Sequence, residues 1–261
     1  MKKAVENIYL VLIFLFLFLP IAVLILFSFN TSSLNIVFEG FTVHWYKDLL
    51  QNRTLLEALF NTLIVAGVST IVSTIIGTIS AYGLHKYSFP GKNVVNELLY
   101  IPVVIPEIVL GISLLSVYTL LKLELGMVTL ILSHICFCIP FVIISVRSVL
   151  EGVDPHIEEV ANDLGASKFQ IFTKIVIPML MPGILSGAQL ALTLSLDDVV
   201  ISYFTAGPGS NTLPLQVYSM IKTGITPDVN ALITIMLGVV FVLLMVSTVV
   251  QLRRIKKEAI S

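Results

Sequence analysis

Three carboxylates stand inside long apolar stretches of the sequence: Glu107, Asp197 and Asp198. An acid at the centre of a membrane helix costs about 2.5–3.5 kcal/mol on insertion scales, so such acids pair, face a cavity or bind a cation. The apolar stretches contain no Lys or Arg, and we therefore expect no neutralising partner within the chain. A negative lining for a cationic solute is the functional interpretation. Helix capping or a bond to a neighbouring helix is the structural alternative.

Aromatic residues accompany these acids along the chain. Tyr100 precedes Glu107, and Tyr203 follows Asp198. Because aromatic rings attract cations through their faces, we predict that both tyrosines line a substrate path with the three acids. Packing or a position in the interfacial belt is the alternative for each ring. His134 is interpreted as a hydrogen-bonded interior residue.

The composition restricts the protein class. Of 261 residues, 57% are apolar and 12% charged, and the mean hydropathy is +1.01. A soluble domain carries about 25% charged residues, so this chain is an integral membrane protein. The net charge of −1 offers no basic surface for phosphates, which excludes a nucleic-acid partner.

Six apolar segments are long enough to cross a bilayer, which needs about 20 residues. They predict an all-α, polytopic membrane protein with six transmembrane helices, at residues 8–29, 58–84, 98–121, 125–146, 179–206 and 231–252. Pro102 and Pro106 are expected to interrupt the third helix beside Glu107, close to the middle of the membrane.

Positive charge sets the orientation of such a chain. With the N-terminus inside, eleven Lys and Arg residues lie in the cytoplasm and four outside. Both termini are therefore predicted to be cytoplasmic. Residues 147–178 then form the long inner loop, and residues 30–57 and 207–230 form the long outer loops.

The inner loop contains two helix signals. Asp154 and Pro155 favour a helix start, and Gly165 favours its end. The residues from Ser167 to Gln170 form a capping box for a second short helix. The first helix carries an apolar stripe that needs a cover, either the lipid surface or a cytoplasmic partner; it consists of Ile157, Val160, Ala161 and Leu164.

The same loop resembles the EAA loop of binding-protein-dependent ABC importer permeases. The similar residues are Glu159-Val160-Ala161, Gly165 and then Ile175 with Pro178; Val160 replaces the usual alanine. In that family the loop is a coupling helix that enters a groove of the ATPase. The resemblance implies that Glu159, Ala161 and Gly165 belong to this contact and that Ile175 and Pro178 form its base. Residues 151–178 are then the coupling loop within a single permease domain, residues 1–261.

Other segments resemble the permeases of spermidine/putrescine importers, above all residues 194–200 and 213–220. This resemblance implies polyamine import by alternating access across a bacterial inner membrane. It also implies three kinds of partner: a second permease subunit in a heterodimer, two copies of a cytoplasmic ATPase, and an extracytoplasmic polyamine-binding protein.

The sequence predicts a transport subunit rather than an enzyme. It has no G-x-x-x-x-G-K-[ST] phosphate loop, so ATP hydrolysis is assigned to a separate chain. We predict no catalytic residue, metal site or cofactor. The alternatives are a sister permease for another small solute, an ion-coupled secondary cation carrier, and a membrane scaffold without transport.

Overall fold

A computed structural model describes residues 2–32, 36–154, 156–223, 227–238, 241–242 and 245. The described residues are mainly helical and form no strand, apart from one isolated bridge between Asn30 and Phe41. The chain divides into two compact units. Unit 1 comprises Met1–Leu56 with Ser219–Ser261, and unit 2 comprises Glu57–Tyr218.

Unit 1 contains the first helix and a small folded segment after it. Helix α1 (Lys2–Phe27) is apolar and exposed along Glu6–Phe27, as expected for a helix in contact with lipid or another subunit. Asn30 organises the segment that follows. Its side chain donates to the carbonyl of Val37 and accepts the N–H of Glu39, at 2.7 and 2.9 Å. Helix α2 (His44–Leu49) comes next.

Unit 2 contains most of the long helices. In chain order they are α3 (Arg53–Lys86, which begins in unit 1), α4 (Lys92–Val104), α5 (Glu107–Leu120), α6 (Met127–Leu150), α7 (His156–Asp163), α8 (Lys168–Ile171), a π-helical turn (Phe172–Val176), α9 (Ile177–Asp197) and α10 (Val200–Thr205). Helix α11 (Leu213–Thr223) follows, and α12 (Pro227–Gly238) belongs to unit 1.

The helices confirm an all-α, multi-pass architecture. Four described helices are long and apolar enough to cross a membrane, at Glu6–Phe27, Arg53–Lys86, Met127–Leu150 and Lys168–Asp197. A bent pair, α4 and α5, makes a fifth span if it is counted as one. Only part of the sixth predicted segment, 231–252, lies within the described residues. The count of six spans and the cytoplasmic termini therefore stay predictions.

Two predicted spans are wrong as single helices. Segment 98–121 is divided into α4 and α5, which meet at 112°. Pro106 explains the break because it lacks an N–H and confines Ile105 to an extended backbone, with φ −71° and ψ 137°. Pro102 does not interrupt the helix and lies inside α4.

The fifth predicted span, 179–206, is corrected at both ends. Its helix begins earlier, because α8, the π-helical turn and α9 run on as one helix from Lys168. It ends at Asp197, since Asp198 is extended with ψ 128°, and α10 starts afresh at Val200.

The core of unit 2 is the contact between α6 and α9. Gly183 and Gly187 lie one turn apart on α9 and face α6. A Cβ on Gly183 would lie 2.9 Å from the carbonyl oxygen of Ser145, and one on Gly187 would lie 3.1 Å from the Cα of Val142. Small residues at this spacing let two membrane helices approach closely, so the pair fixes the position of α9 against α6.

Candidate functional site

The three predicted acids lie together where helices begin and end. Glu107 is the first residue of α5, Asp197 is the last of α9, and Asp198 follows it. Helices α5 and α10 are in close contact: a Cβ on Gly111 would lie 2.7 Å from the ring of Phe204. The Glu107 carboxylate interacts electrostatically with both aspartates. We call Glu107, Asp197 and Asp198 the acid cluster.

The two neighbouring aspartates face different environments. Asp198 is 6% exposed and caps the first turn of α10, where its oxygens accept the N–H groups of Ile201 and Ser202 at 3.0 and 2.8 Å. Such N–H groups have no partner within the helix. Asp197 is exposed. The helix end between them therefore directs one carboxylate inward and leaves the other on the surface.

A buried histidine completes the surroundings of Asp198. The Nε2 of His134 lies 3.4 Å from Oδ2 of Asp198 and 3.1 Å from Oγ of Ser202. Its Nδ1 lies 2.7 Å from Oγ of Ser195, which in turn lies 3.1 Å from Oγ of Ser69 on α3. His134 is thus an interior residue, as predicted. The expectation that no acid has a partner within the chain is wrong for Asp198, because it considered only Lys and Arg.

The two predicted aromatic residues are exposed, in contrast to a third tyrosine on α5. Tyr203 is 58% exposed on α10 and packs edge-on against Phe204, with ring centroids 5.3 Å apart. Tyr100 is exposed on α4, on the other side of the bend from Glu107. Tyr118 is buried, and its hydroxyl lies 2.8 Å from Oγ of Ser133. Of the three tyrosines, Tyr203 is on the helix that Asp198 caps.

The EAA loop (residues 151–178) has the helix, glycine and capping box that the sequence predicts. Gly165 has φ +84°, and the N–H of Ala166 returns to the carbonyl of Ala161 at 3.1 Å, which closes α7. Ser167 and Gln170 cap each other reciprocally, at 3.3 and 2.9 Å. The predicted first helical residue, Pro155, lies outside the described residues.

The predicted apolar stripe of α7 is divided between two faces. Ala161 is buried in the core of unit 2, whereas Val160 and Leu164 are exposed. Glu159 is exposed, and its carboxylate lies 3.0 Å from Nδ1 of His156. This hydrogen bond to the negative partner raises the pKa of His156. Helix α7 thus seats one small residue inward and presents apolar and acidic groups outward.

The base of the loop is continuous with the span that follows, not a separate short helix. Pro178 lacks an N–H and crowds the carbonyl of Lys174, four residues earlier. Lys174 lies in the π-helical turn, whose hydrogen bonds span five residues instead of four. The wider turn moves this carbonyl away from the proline ring and relieves the clash. Ile175 is half-buried in this turn, and Pro178 is exposed.

A groove of about 530 Å³ lies between the end of α3 and α7, with both signs of charge on its walls. Its lining includes Lys86, Asp154, Glu158 and Lys168. Glu158 bonds to Lys86 and to the hydroxyl of Tyr82. No local pattern in the sequence indicates this contact, since Lys86 and Tyr82 lie 72 and 76 residues from Glu158.

A family model described as "Binding-protein-dependent transport system inner membrane component" matches residues 73–258. The chain belongs to this family. It is 44% identical over 223 residues to the spermidine/putrescine transport system permease protein PotC of Escherichia coli K12, covering 85% of this chain and 84% of that one. It is 40% identical to the putrescine transport system permease protein PotI of the same strain, covering 82% and 78% of the two chains.

Solved structures show the same permease fold. A bacterial ABC transporter involved in the import of the acidic polysaccharide alginate aligns with a TM-score of 0.76 and 18% identity over 95% of both chains. The MetNI methionine ABC transporter aligns with a TM-score of 0.61 over 74% of this chain and 92% of that one. The family match and the similarity to PotC, with this fold, make the chain a multi-pass inner-membrane component of an ABC transporter.

Proposed function

We propose that this permease is the subunit of an ATP-driven importer through which polyamines such as spermidine and putrescine cross the membrane. The observation that carries the proposal is the acid cluster, with Glu107 and Asp197 both exposed at the ends of apolar helices. Exposed acids in such helices favour a cationic solute. The similarity to polyamine permeases over 85% of the chain supports the same class of substrate.

In this proposal Glu107, Asp197, Tyr203 and Tyr100 line the path, and Asp198 adds negative charge from behind the surface. Polyamines carry spaced ammonium groups on flexible alkyl chains, so carboxylates and aromatic rings are suitable contacts. Each contact must be weak enough to release the solute to the next one. Two exposed carboxylates, rather than a closed cage, meet this requirement.

The remaining surface of the path would come from a second permease subunit in a heterodimer. An extracytoplasmic polyamine-binding protein would deliver the solute to residues 30–57 and 207–230. Part of the latter loop has a fixed shape, since the Nδ2 of Asn61 donates to the carbonyls of Gly209 and Asn211, both at 3.0 Å. A fixed loop suits the docking of a rigid partner.

The EAA loop would couple the permease domain, residues 1–261, to two copies of a cytoplasmic ATPase. Exposed Glu159 and the turn at Gly165 would contact the ATPase, together with the apolar side chains of Val160 and Leu164. Ala161 would act from inside, by seating α7 on the core. Ile175 and Pro178 would form the base that carries movement into α9.

Uptake of labelled spermidine and putrescine, in cells with and without the chain, tests this proposal. We expect uptake that requires the chain and is lost on ATP depletion. Unchanged polyamine uptake, in cells without a redundant importer, would reject the substrate and favour a sister permease for another solute. Uptake that survives ATP depletion but collapses with the membrane potential would favour an ion-coupled cation carrier.

A further inference from the structure

Three polar side chains join the end of α3 to α7 in a closed ring of hydrogen bonds. The Nζ of Lys86 donates to the Tyr82 hydroxyl oxygen at 2.7 Å and to Oε2 of Glu158. The Tyr82 hydroxyl donates to the same Glu158 oxygen at 2.9 Å. Each member therefore contacts both of the others, and Lys86 and Glu158 form an ion pair.

The ring is also attached to the base of α9. The aromatic ring of Tyr82 lies 5.0 Å from that of Phe172, the first residue of the π-helical turn. Packing against Phe172 restrains Tyr82, so its hydroxyl is held in place for Glu158 rather than free to follow it. The contact thus connects three elements: α3, α7 and the start of the helix that contains Asp197.

The two consecutive glutamates of α7 have different surroundings. Glu158 is half-buried and directed to Lys86 and Tyr82, whereas Glu159 is exposed and paired with His156 of its own helix. Of these two glutamates, Glu158 is the one with a bond to another helix among the described residues, and it adds this bond to the packing of Ala161 in the core. Because Lys86 is the last residue of α3, a shift of α7 must either carry the end of α3 with it or break the ring.

We propose that Glu158 is a positioning residue that transmits the movement of α7 to α3 through Lys86 and Tyr82. The inference rests on the proposed function, since it takes α7 to be moved by an ATPase. A partly exposed ion pair contributes little to folding stability. Disrupting the ring should therefore change coupling between ATP hydrolysis and transport more than it changes assembly.

The test uses the whole complex in vesicles, with the partner permease, ATPase and binding protein, and measures spermidine moved per ATP hydrolysed. We expect Glu158→Lys to lower this ratio about tenfold. The double charge reversal Lys86→Glu with Glu158→Lys should restore it to within about twofold. Glu97→Lys is the control, because Glu97 is an exposed carboxylate on α4, outside the ring.

Two results would overturn the inference: an unchanged ratio in an assembled Glu158→Lys complex, or no recovery in an assembled double variant. Glu158→Gln replaces the single variant if co-purification shows that Glu158→Lys does not assemble, and it should lower the ratio in the same direction. Failure of the unaltered complex to move spermidine would instead reject the proposed function, so the two failures are distinguishable.

Discussion

His134 and Asp198 approach within 3.4 Å, Nε2 to Oδ2, with both side chains shielded from solvent. The pair joins α6 to the break between α9 and α10. A buried carboxylate without a partner is costly, and this histidine supplies one alongside Ser202 and the N–H groups of α10. The break is therefore stabilised by contacts from another helix as well as by the local backbone.

Replacing His134 with leucine should destabilise the protein by about 1–3 kcal/mol, because it leaves Asp198 with fewer buried partners. Thermal unfolding in detergent measures the change. Asp198→Asn should also destabilise, and the double variant should lose less than the sum of the single variants. Strictly additive losses would show that the two residues do not interact.

The two aspartates should respond differently to removal of charge. Asp197→Asn should leave unfolding unchanged and raise the spermidine concentration for half-maximal uptake about tenfold, since it removes an exposed charge from the proposed path. Asp198→Asn should lower the stability of the protein more than it changes half-saturation, because it weakens the cap on α10. Equal effects of both variants on half-saturation, at equal protein levels, would contradict this division.

Gly165→Ala should impair transport because φ +84° costs a residue with a Cβ about 1–2 kcal/mol. We expect α7 to shift and uptake to fall, with the chain still present in the membrane. Gly91→Ala is a matched control: Gly91 has φ +87° and, like Gly165, has space for a Cβ. Gly91 lies outside the EAA loop. Comparable losses of uptake in both variants would therefore mean that backbone strain at any such glycine impairs transport, and that the EAA loop has no special role.

Gly183→Ala should destabilise the α6–α9 contact by about 1–3 kcal/mol, because the new Cβ would meet the backbone of α6. Thermal unfolding in detergent measures this change, with the loss of the monodisperse peak in size-exclusion chromatography as the readout. Gly67→Ala is the comparison, since a Cβ there meets no atom within 4 Å. That variant should be neutral or stabilising by up to about 1 kcal/mol.

The contact between His156 and Glu159 should depend on pH. The carboxylate raises the pKa of His156 above its ordinary value of about 6.5. Because the pKa is raised in the folded state, the contact contributes its full stability below the ordinary pKa. This stability is lost as the pH rises through the raised pKa of the folded protein. Histidine NMR of the labelled protein should show this pKa falling in Glu159→Gln. An unchanged titration would mean that the pair does not form in solution.

Local signals in the sequence predicted much of the fold. Each of the segments 8–29, 58–84 and 125–146 contains one continuous helix, although the first helix ends at Phe27 and the last begins at Met127. Uninterrupted apolar runs specify a span without help from distant residues. The Ser167–Gln170 capping box and the turn at Gly165 were predicted for the same reason, since each depends on residues within one turn.

Distant contacts account for what the sequence did not predict. The end of α9 at Asp197 is stabilised by His134, 64 residues away from Asp198, and the apolar pattern alone continues through that position. Likewise, the sequence around Glu158 indicates only a favourable charge near the start of a helix. Its contacts with Tyr82 and Lys86 follow from how α3 and α7 pack, which no local pattern encodes.

The π-helical turn at Phe172–Val176 sets the angular phase between the EAA loop and the membrane. An α-helix turns by about 100° per residue, and a π-helical turn holds one residue more than an α-helical turn at nearly the same rotation. Conversion of this turn to a regular α-helix, with no residue deleted, would therefore rotate everything before it by about 100° relative to α9. Phe172 would then leave Tyr82, and α7 would face a different direction, although the chain kept its length. The wide turn, rather than any single side chain, thus keeps the EAA loop in register with α9.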